Sequence, residues 1–107
     1  VTRHTVEWAT TARDDLDAIA AWIANDSAIN ALTAVERIEA RAASLATLPS
    51  RGRIVPELRA HGVLNLQELI EKPWRIIYRI DGHRVLVLSV LDSRRSLDDL
   101  LLERFLR

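Results

Sequence analysis

The chain changes hydrophobic rhythm once. From Thr11 to about Leu48 apolar residues recur at helical spacing, and after Gly62 they follow the shorter repeat of strands. Ahead of both, Val1 to Trp8 is short and extended, with Thr5, Val6 and Trp8 favouring a strand. Thr11 opens the first helix: its hydroxyl can cap the first turn, and Asp14 stands three residues on, in the manner of a capping box. Leu16, Ile19, Ala20 and Ile23 share one face, and Asp14, Asp17 and Asn25 lie away from it. Asn25-Asp26-Ser27 breaks the helix, and Ser27 can cap a second one. That helix carries Ile29, Leu32, Val35, Ile38, Ala42 and Leu45 as its stripe, up to the stop before Pro49. So short a break between amphipathic helices predicts an antiparallel helical hairpin.

The stretch PSRGRIVPEL, punctuated by Pro49, Gly52 and Pro56, reads as a loop. Three strands follow, at Asn65–Ile70, Trp74–Ile80 and Arg84–Leu91. On the middle one Trp74, Ile76, Tyr78 and Ile80 share a face opposite Arg75, Ile77 and Arg79. The third, VLVLSVL, is apolar on both faces and belongs inside the sheet. Asp81-Gly82 fits a two-residue type I′ turn between them. Ser96 caps a last helix, with Asp98 and Asp99 at its start and Arg104 and Arg107 at its end, as the helix dipole favours. The order β-α-α-β-β-β-α predicts an α+β domain over residues 1–107. Its helices pack on one face of a mostly antiparallel, four-stranded sheet.

Composition narrows the function. Hydrophobic residues make up 49% of the 107, enough for one core. There is no cysteine, which removes disulfides, thiolate nucleophiles and thiolate metal sites and suits a cytoplasmic protein. No apolar run approaches the ~18 residues of a membrane span, and no signal-peptide pattern opens the chain. Formal net charge is zero, whereas binding nucleic acid by phosphate neutralisation usually leaves a basic excess. The basic side chains nevertheless gather late, eleven Lys or Arg in residues 51–107 against four in residues 1–50.

The candidate chemistry therefore lies along the last two strands. Metal-free RNA cleavage needs a base, an acid and cations for the phosphorane. Tyr78, Arg75, Arg79, Arg94 and Arg95 are the weak catalytic candidates. Tyr78 shares the helix-covered face, so it reads as packing with its hydroxyl bonded. His61 and His83 read as surface histidines, and Asp92 as a partner for Arg94 or Arg95. For Arg75 and Arg79 two readings stay open, cross-strand pairing with Glu68 or Asp92 and partner binding. Arg94 and Arg95, just past a strand end, lean toward function. No His or carboxylate spacing suggests a metal site, and no glycine-rich loop suggests a phosphate cradle; no cofactor is expected. The last helix is apolar at Leu97, Leu100, Leu101, Leu102, Phe105 and Leu106, which covers roughly 240° of its circumference at helical spacing. It is either deeply wedged or partly covered by a second chain.

LPSRGRIVPEL, ELIEKPWRIIYRI and VLVLSVLDSRR, in that order, resemble the ParE/RelE superfamily of bacterial type II toxin–antitoxin toxins, closest to its ParE branch of plasmid stabilisation proteins. The likeness spans nearly the whole chain. Gln67 stands where arginine is common, Asp92 where histidine is common, and Trp74 where tyrosine is usual. The resemblance implies a toxin held by a cognate antitoxin. ParE-type toxins act on DNA gyrase and RelE-type toxins cut mRNA on the ribosome. The weak acid–base set and neutral charge favour gyrase here. The alternatives are a RelE-like endoribonuclease and an inactive antitoxin-binding module. Partner-binding residues on this reading are Arg75, Arg79, Arg94 and Arg95, with Leu102 and Leu106 as apolar anchors for the antitoxin.

Overall fold

The computed structural model describes residues 3–106. Val1 and Thr2 of the expected first strand, and Arg107, lie outside the described residues. The elements are β1 (Thr5–Trp8), α1 (Thr10–Ala24), α2 (Ala28–Ala43), β2 (Arg53–Ile54), α3 (Pro56–Arg59), β3 (Gln67–Glu71), β4 (Trp74–Asp81), β5 (Arg84–Asp92) and α4 (Asp98–Phe105). Two short 3₁₀ turns, Ser44–Ala46 and Pro49–Arg51, carry the chain from α2 to β2. The sheet has five strands, not four, in the order β1-β5-β4-β3-β2. The additional strand lies in the stretch expected to be a loop, where Arg53 and Ile54 pair with Glu68 and Gln67. β1 runs parallel to β5 and every other pair is antiparallel.

The helical hairpin forms as expected, with Ser27 Oγ accepting from the Asn30 N–H at 3.1 Å. Two local details differ. No side chain caps α1; Ala9 is its N-cap, and the Ala9 N–H still bonds the Val87 carbonyl, so the end of the sheet ladder sets the helix start. On α2 the buried face is Ala31, Ala34, Ile38 and Ala42, while Ile29 and Leu32 stand 78% and 60% exposed. At 3.6 residues per turn Ile29 lies about 180° from Ile38 and Leu32 about 120°, so neither could share its face.

The β4–β5 turn also differs. Asp81 pairs with Arg84, so the two loop residues are Gly82 and His83. Gly82 has φ of +59° and no non-glycine residue described has positive φ, the sign pattern of type II′, which places glycine first.

Helices cover both faces of the sheet, contrary to the one-faced arrangement expected. Leu16 and Ile38 of the hairpin pack with Leu69, Trp74, Ile76, Tyr78 and Val87. On the opposite face Leu58 of α3 and Leu97 and Leu101 of α4 pack with Val55, Ile77 and Leu91. Two apolar faces explain why Trp74–Tyr78 is buried without a break. A bulge adjusts the alternation. Ile77 pairs with Ser89 but Tyr78 pairs with Val87, so Leu88 is the extra residue. Val85, Val87 and Val90 can then all face the hairpin. As expected, β5 is an interior strand.

β1 pairs with only the Arg84–Val87 half of β5 and leaves the rest as an open edge. Asp15 of α1 accepts the Val90 N–H at 3.0 Å, and Arg104 of α4 reaches the same carboxylate at 2.8 and 3.1 Å while bonding Ser89 Oγ at 3.0 Å. The two helical layers are thus clipped together around that edge. The cap of α4 is Leu97 rather than Ser96, with no side-chain cap bond; its own burial against Leu101 and Ile77 fixes the start.

Candidate functional site

The arginines expected along β4 lie in different environments. Arg75 is buried, and its guanidinium is engaged on three sides. Its Nε donates to Glu68 at 2.6 Å, and its two terminal nitrogens each donate to Glu57 at 2.7 Å. Glu68, wholly buried, also accepts from Arg53 at 2.7 Å. The paired carboxylates raise the Arg75 pKa further, and the hydrogen bond from Arg75 lowers that of Glu57. This is the cross-strand pairing with Glu68 foreseen for Arg75, joined by Glu57 from α3. Arg79, four residues further along the strand on the same face, is partly exposed and pairs with Asp81 at 3.0 Å.

Tyr78 is buried among the hairpin core, as its strand position predicts. Its hydroxyl donates to the Pro49 carbonyl at 2.6 Å and accepts from the Gly52 N–H at 3.0 Å. Burial raises its pKa. The backbone of Gly52 approaches so closely that a Cβ there would stand 2.5 Å from both the Tyr78 hydroxyl and the Glu68 carbonyl. Gln67 fastens the same loop by donating to the Gly52 carbonyl at 2.8 Å. His61 and His83 are exposed, and among the described residues no cluster of His, Cys, Asp or Glu could hold a metal ion.

Arg94 and Arg95 sit on a tight turn after β5. The turn is tethered by Ser93, whose N–H and hydroxyl both donate to the Pro73 carbonyl at 2.7 Å. Asp92 holds Arg94 through the backbone N–H and two guanidinium nitrogens, at 2.7 to 3.0 Å, and those bonds lower the Asp92 pKa. Among the described residues the Arg95 guanidinium makes no hydrogen bond or salt bridge, although its charge also helps to lower the Asp92 pKa. The turn faces α1 across an open cleft of about 720 Å³, walled by Ala18, Ile19, Trp22 and Ile23 on one side and Trp74 on the other. Arg37 stacks over Trp74 at 5.6 Å and bonds Glu71 at 2.8 Å, which holds the indole in place. On the opposite face of the sheet, Leu101 is buried, Leu102 half-buried and Leu106 39% exposed.

The family model described as "ParE toxin of type II toxin-antitoxin system, parDE" matches residues 6–97. The chain belongs to the ParE toxin family. Toxin ParE3 of Caulobacter vibrioides is 31% identical over 84 residues, covering 78% of this chain and 80% of that protein. Among solved structures, one from the chromosomal ParDE toxin–antitoxin system of P. aeruginosa superposes with a TM-score of 0.69. It is 23% identical and covers 86% of this chain and 98% of its own, a likeness of fold. One from the RelBE2 toxin–antitoxin complex of Mycobacterium tuberculosis gives 0.61 at 27% identity, covering 86% and 93%. The protein is therefore a toxin of a type II toxin–antitoxin system, and its neighbours come from toxin–antitoxin systems.

In this ParE-family chain the sheet brings Arg75, Glu57, Glu68 and Arg53 together on one face and Trp22, Trp74, Arg94 and Arg95 at its other side. Sequence reading missed Glu57 and Trp22. Glu57 sat in a presumed loop, with no signal that α3 would carry it to Arg75. Trp22 was visible as a large aromatic residue off the apolar stripe of α1.

Proposed function

We propose that this ParE-family toxin arrests growth in the cytoplasm by binding and inhibiting DNA gyrase, and that a cognate antitoxin neutralises it. The observation that carries the choice of target is the state of the arginine face. Two carboxylates, Glu57 and Glu68, already neutralise Arg75 and Arg53 there. Phosphate neutralisation needs free cations, so the surface suits a protein target better than ribosomal RNA. The candidate acid–base groups point the same way. The Tyr78 hydroxyl is occupied as both donor and acceptor, and Asp92 is held ionised by Arg94. For the antitoxin, the exposed part of α4 around Leu102 and Leu106 supplies an apolar groove side, and the partly exposed Arg79, paired with Asp81, a polar group on the same face of the sheet. A segment that orders on binding can use both.

The second reading is a RelE-like ribosome-dependent endoribonuclease, favoured by the likeness to the RelBE2 complex. Gyrase supercoiling and ribosome-dependent mRNA cleavage, assayed side by side with purified toxin, separate the two. Lost supercoiling with intact mRNA is the expected result. Position-specific cuts with normal supercoiling would exchange the readings.

A further inference from the structure

We propose that the cleft between α1 and the turn after β5 seats an apolar segment of the inhibited protein, with a carboxylate of that protein taken by Arg95. The inference rests on the proposed function in one respect, that the toxin acts by binding a protein.

Trp22 is 76% exposed on α1. Indole is among the largest apolar surfaces a side chain can offer, and Trp and Arg are the residue types that most often dominate binding energy. Behind it Ile19 and Ile23 are half-buried and Trp74 closes the far wall. The volume of about 720 Å³ accommodates one or two apolar side chains and falls within the ~300–1,000 Å³ typical of ligand sites.

The mouth is basic by a single charge. Asp92 neutralises Arg94 through a paired contact, and Arg94 is thereby fixed as a scaffold for the turn. Arg95 hangs from the same turn, its N–H bonded to the Asp92 carbonyl at 3.2 Å, and its guanidinium makes no hydrogen bond or salt bridge among the described residues, interacting with Asp92 through charge alone. A cation that no hydrogen bond holds, beside a tryptophan-walled cleft, suits an occupant that carries an apolar anchor and one nearby carboxylate. A phosphate chain fits poorly, because the carboxylate of Asp92 stands at the mouth and Arg94 is already bonded to it. The cleft lies on the hairpin side of the sheet. α4, with Leu102, packs on the opposite side, where Arg79 also points, so an antitoxin seated there leaves the cleft open.

Growth arrest on induced expression is the primary readout, because it does not presuppose gyrase. Trp22→Ala and Arg95→Glu should each raise the inducer dose needed for arrest by about tenfold or more, the scale of a hot-spot truncation. Protein abundance, melting temperature and titration with antitoxin should stay as in the wild type. Arg95→Lys, which keeps the charge, should retain most of the arrest, and Ile29→Ser, an exposed apolar change outside the cleft, all of it. Undiminished arrest in both Trp22→Ala and Arg95→Glu overturns the proposal. So does a loss of antitoxin binding in step with arrest, which would make the cleft an antitoxin seat. Should Trp22→Ala lower the melting temperature, Ala18→Arg decides: it blocks the mouth from an exposed helix position, and full arrest there counts against the cleft. A wild-type toxin that arrests growth but leaves purified gyrase active refutes the gyrase reading alone, and the cleft is then judged on the growth data.

Discussion

At the scale of single residues, Arg75 shows how a side chain of functional type can serve the fold. Its guanidinium stands between two carboxylates, one of them wholly buried. Removing one partner of a buried pair leaves the other charge desolvated, which typically costs about 3–5 kcal/mol. Arg53 still contacts Glu68, so Arg75→Ala should fall near the lower end, about 3 kcal/mol by urea denaturation. Glu57 gives the same cluster a pH dependence. Its folded pKa lies below the ordinary value of 4.5 because Arg75 donates to it. The stabilisation is therefore complete above the unfolded pKa and is lost as pH falls through the depressed folded value. Urea midpoints should drop on acidification below about pH 4.5, and Glu57→Gln should flatten part of that slope. Arg94 and Arg95, on an exposed turn, should behave oppositely to Arg75, with little effect on stability and a large effect on toxicity.

At the scale of elements, the segment from Pro49 to Ile54 is held to the sheet by a few polar contacts. Tyr78 on β4 bridges the Pro49 carbonyl and the Gly52 N–H, and Gln67 on β3 bonds the Gly52 carbonyl. Tyr78→Phe keeps the ring in the core and strips both backbone groups of a partner. The expected cost is about 1–3 kcal/mol by thermal or urea denaturation, from unsatisfied buried polar groups. Growth arrest by the folded variant should persist, since the hydroxyl acts on the fold. A folded Tyr78→Phe protein without toxicity would return Tyr78 to the catalytic candidates. The Asp15–Arg104 clip belongs to the same scale. It closes the half of β5 that β1 does not reach, the kind of open edge that otherwise invites pairing with another chain.

At the scale of the whole molecule, apolar surface remains among the described residues at several places, Ile29, Leu32, Leu48 and Leu64 included, and two of these surfaces lie on opposite sides of the sheet. One is the Trp22 cleft and the other the outer part of α4. A partner that binds only the folded toxin stabilises it by mass action, about 2.7 kcal/mol at a hundredfold excess over Kd. Cognate antitoxin should therefore raise the melting temperature in a concentration-dependent way. Hydrogen exchange should show protection concentrated on α4 and the Arg79 face. Leu102 and Leu106 changed to polar residues should weaken the complex while the toxin stays folded. Protection confined to α1 and α2 would place the antitoxin elsewhere.

The local code of this chain was enough for the α+β class, the helical hairpin and the three long strands, because periodicity and turn residues act within a few positions. It was also enough for the resemblance to the ParE/RelE superfamily, which the family match bears out. The position of Tyr78 in the helix-covered face followed from strand alternation alone. The start of α2 was misread, since Ile29 and Leu32 were placed in its stripe although helix geometry sets Ile29 about 180° from Ile38. Tertiary structure decided the rest. Only strand pairing could make Arg53–Ile54 a fifth strand, and only a bulge at Leu88 could send Val87 and Val90 to one face. α4 went to the opposite face because β4 and β5 are apolar on both sides, and a sheet buried on both sides needs two covers. The split between a locked Arg75 and an Arg95 whose guanidinium no hydrogen bond holds depended on which carboxylates the fold delivered to each. Glu57 and Glu68 reach the first from separate elements, and Asp92 spends itself on Arg94. Such long-range meetings leave no mark in local sequence.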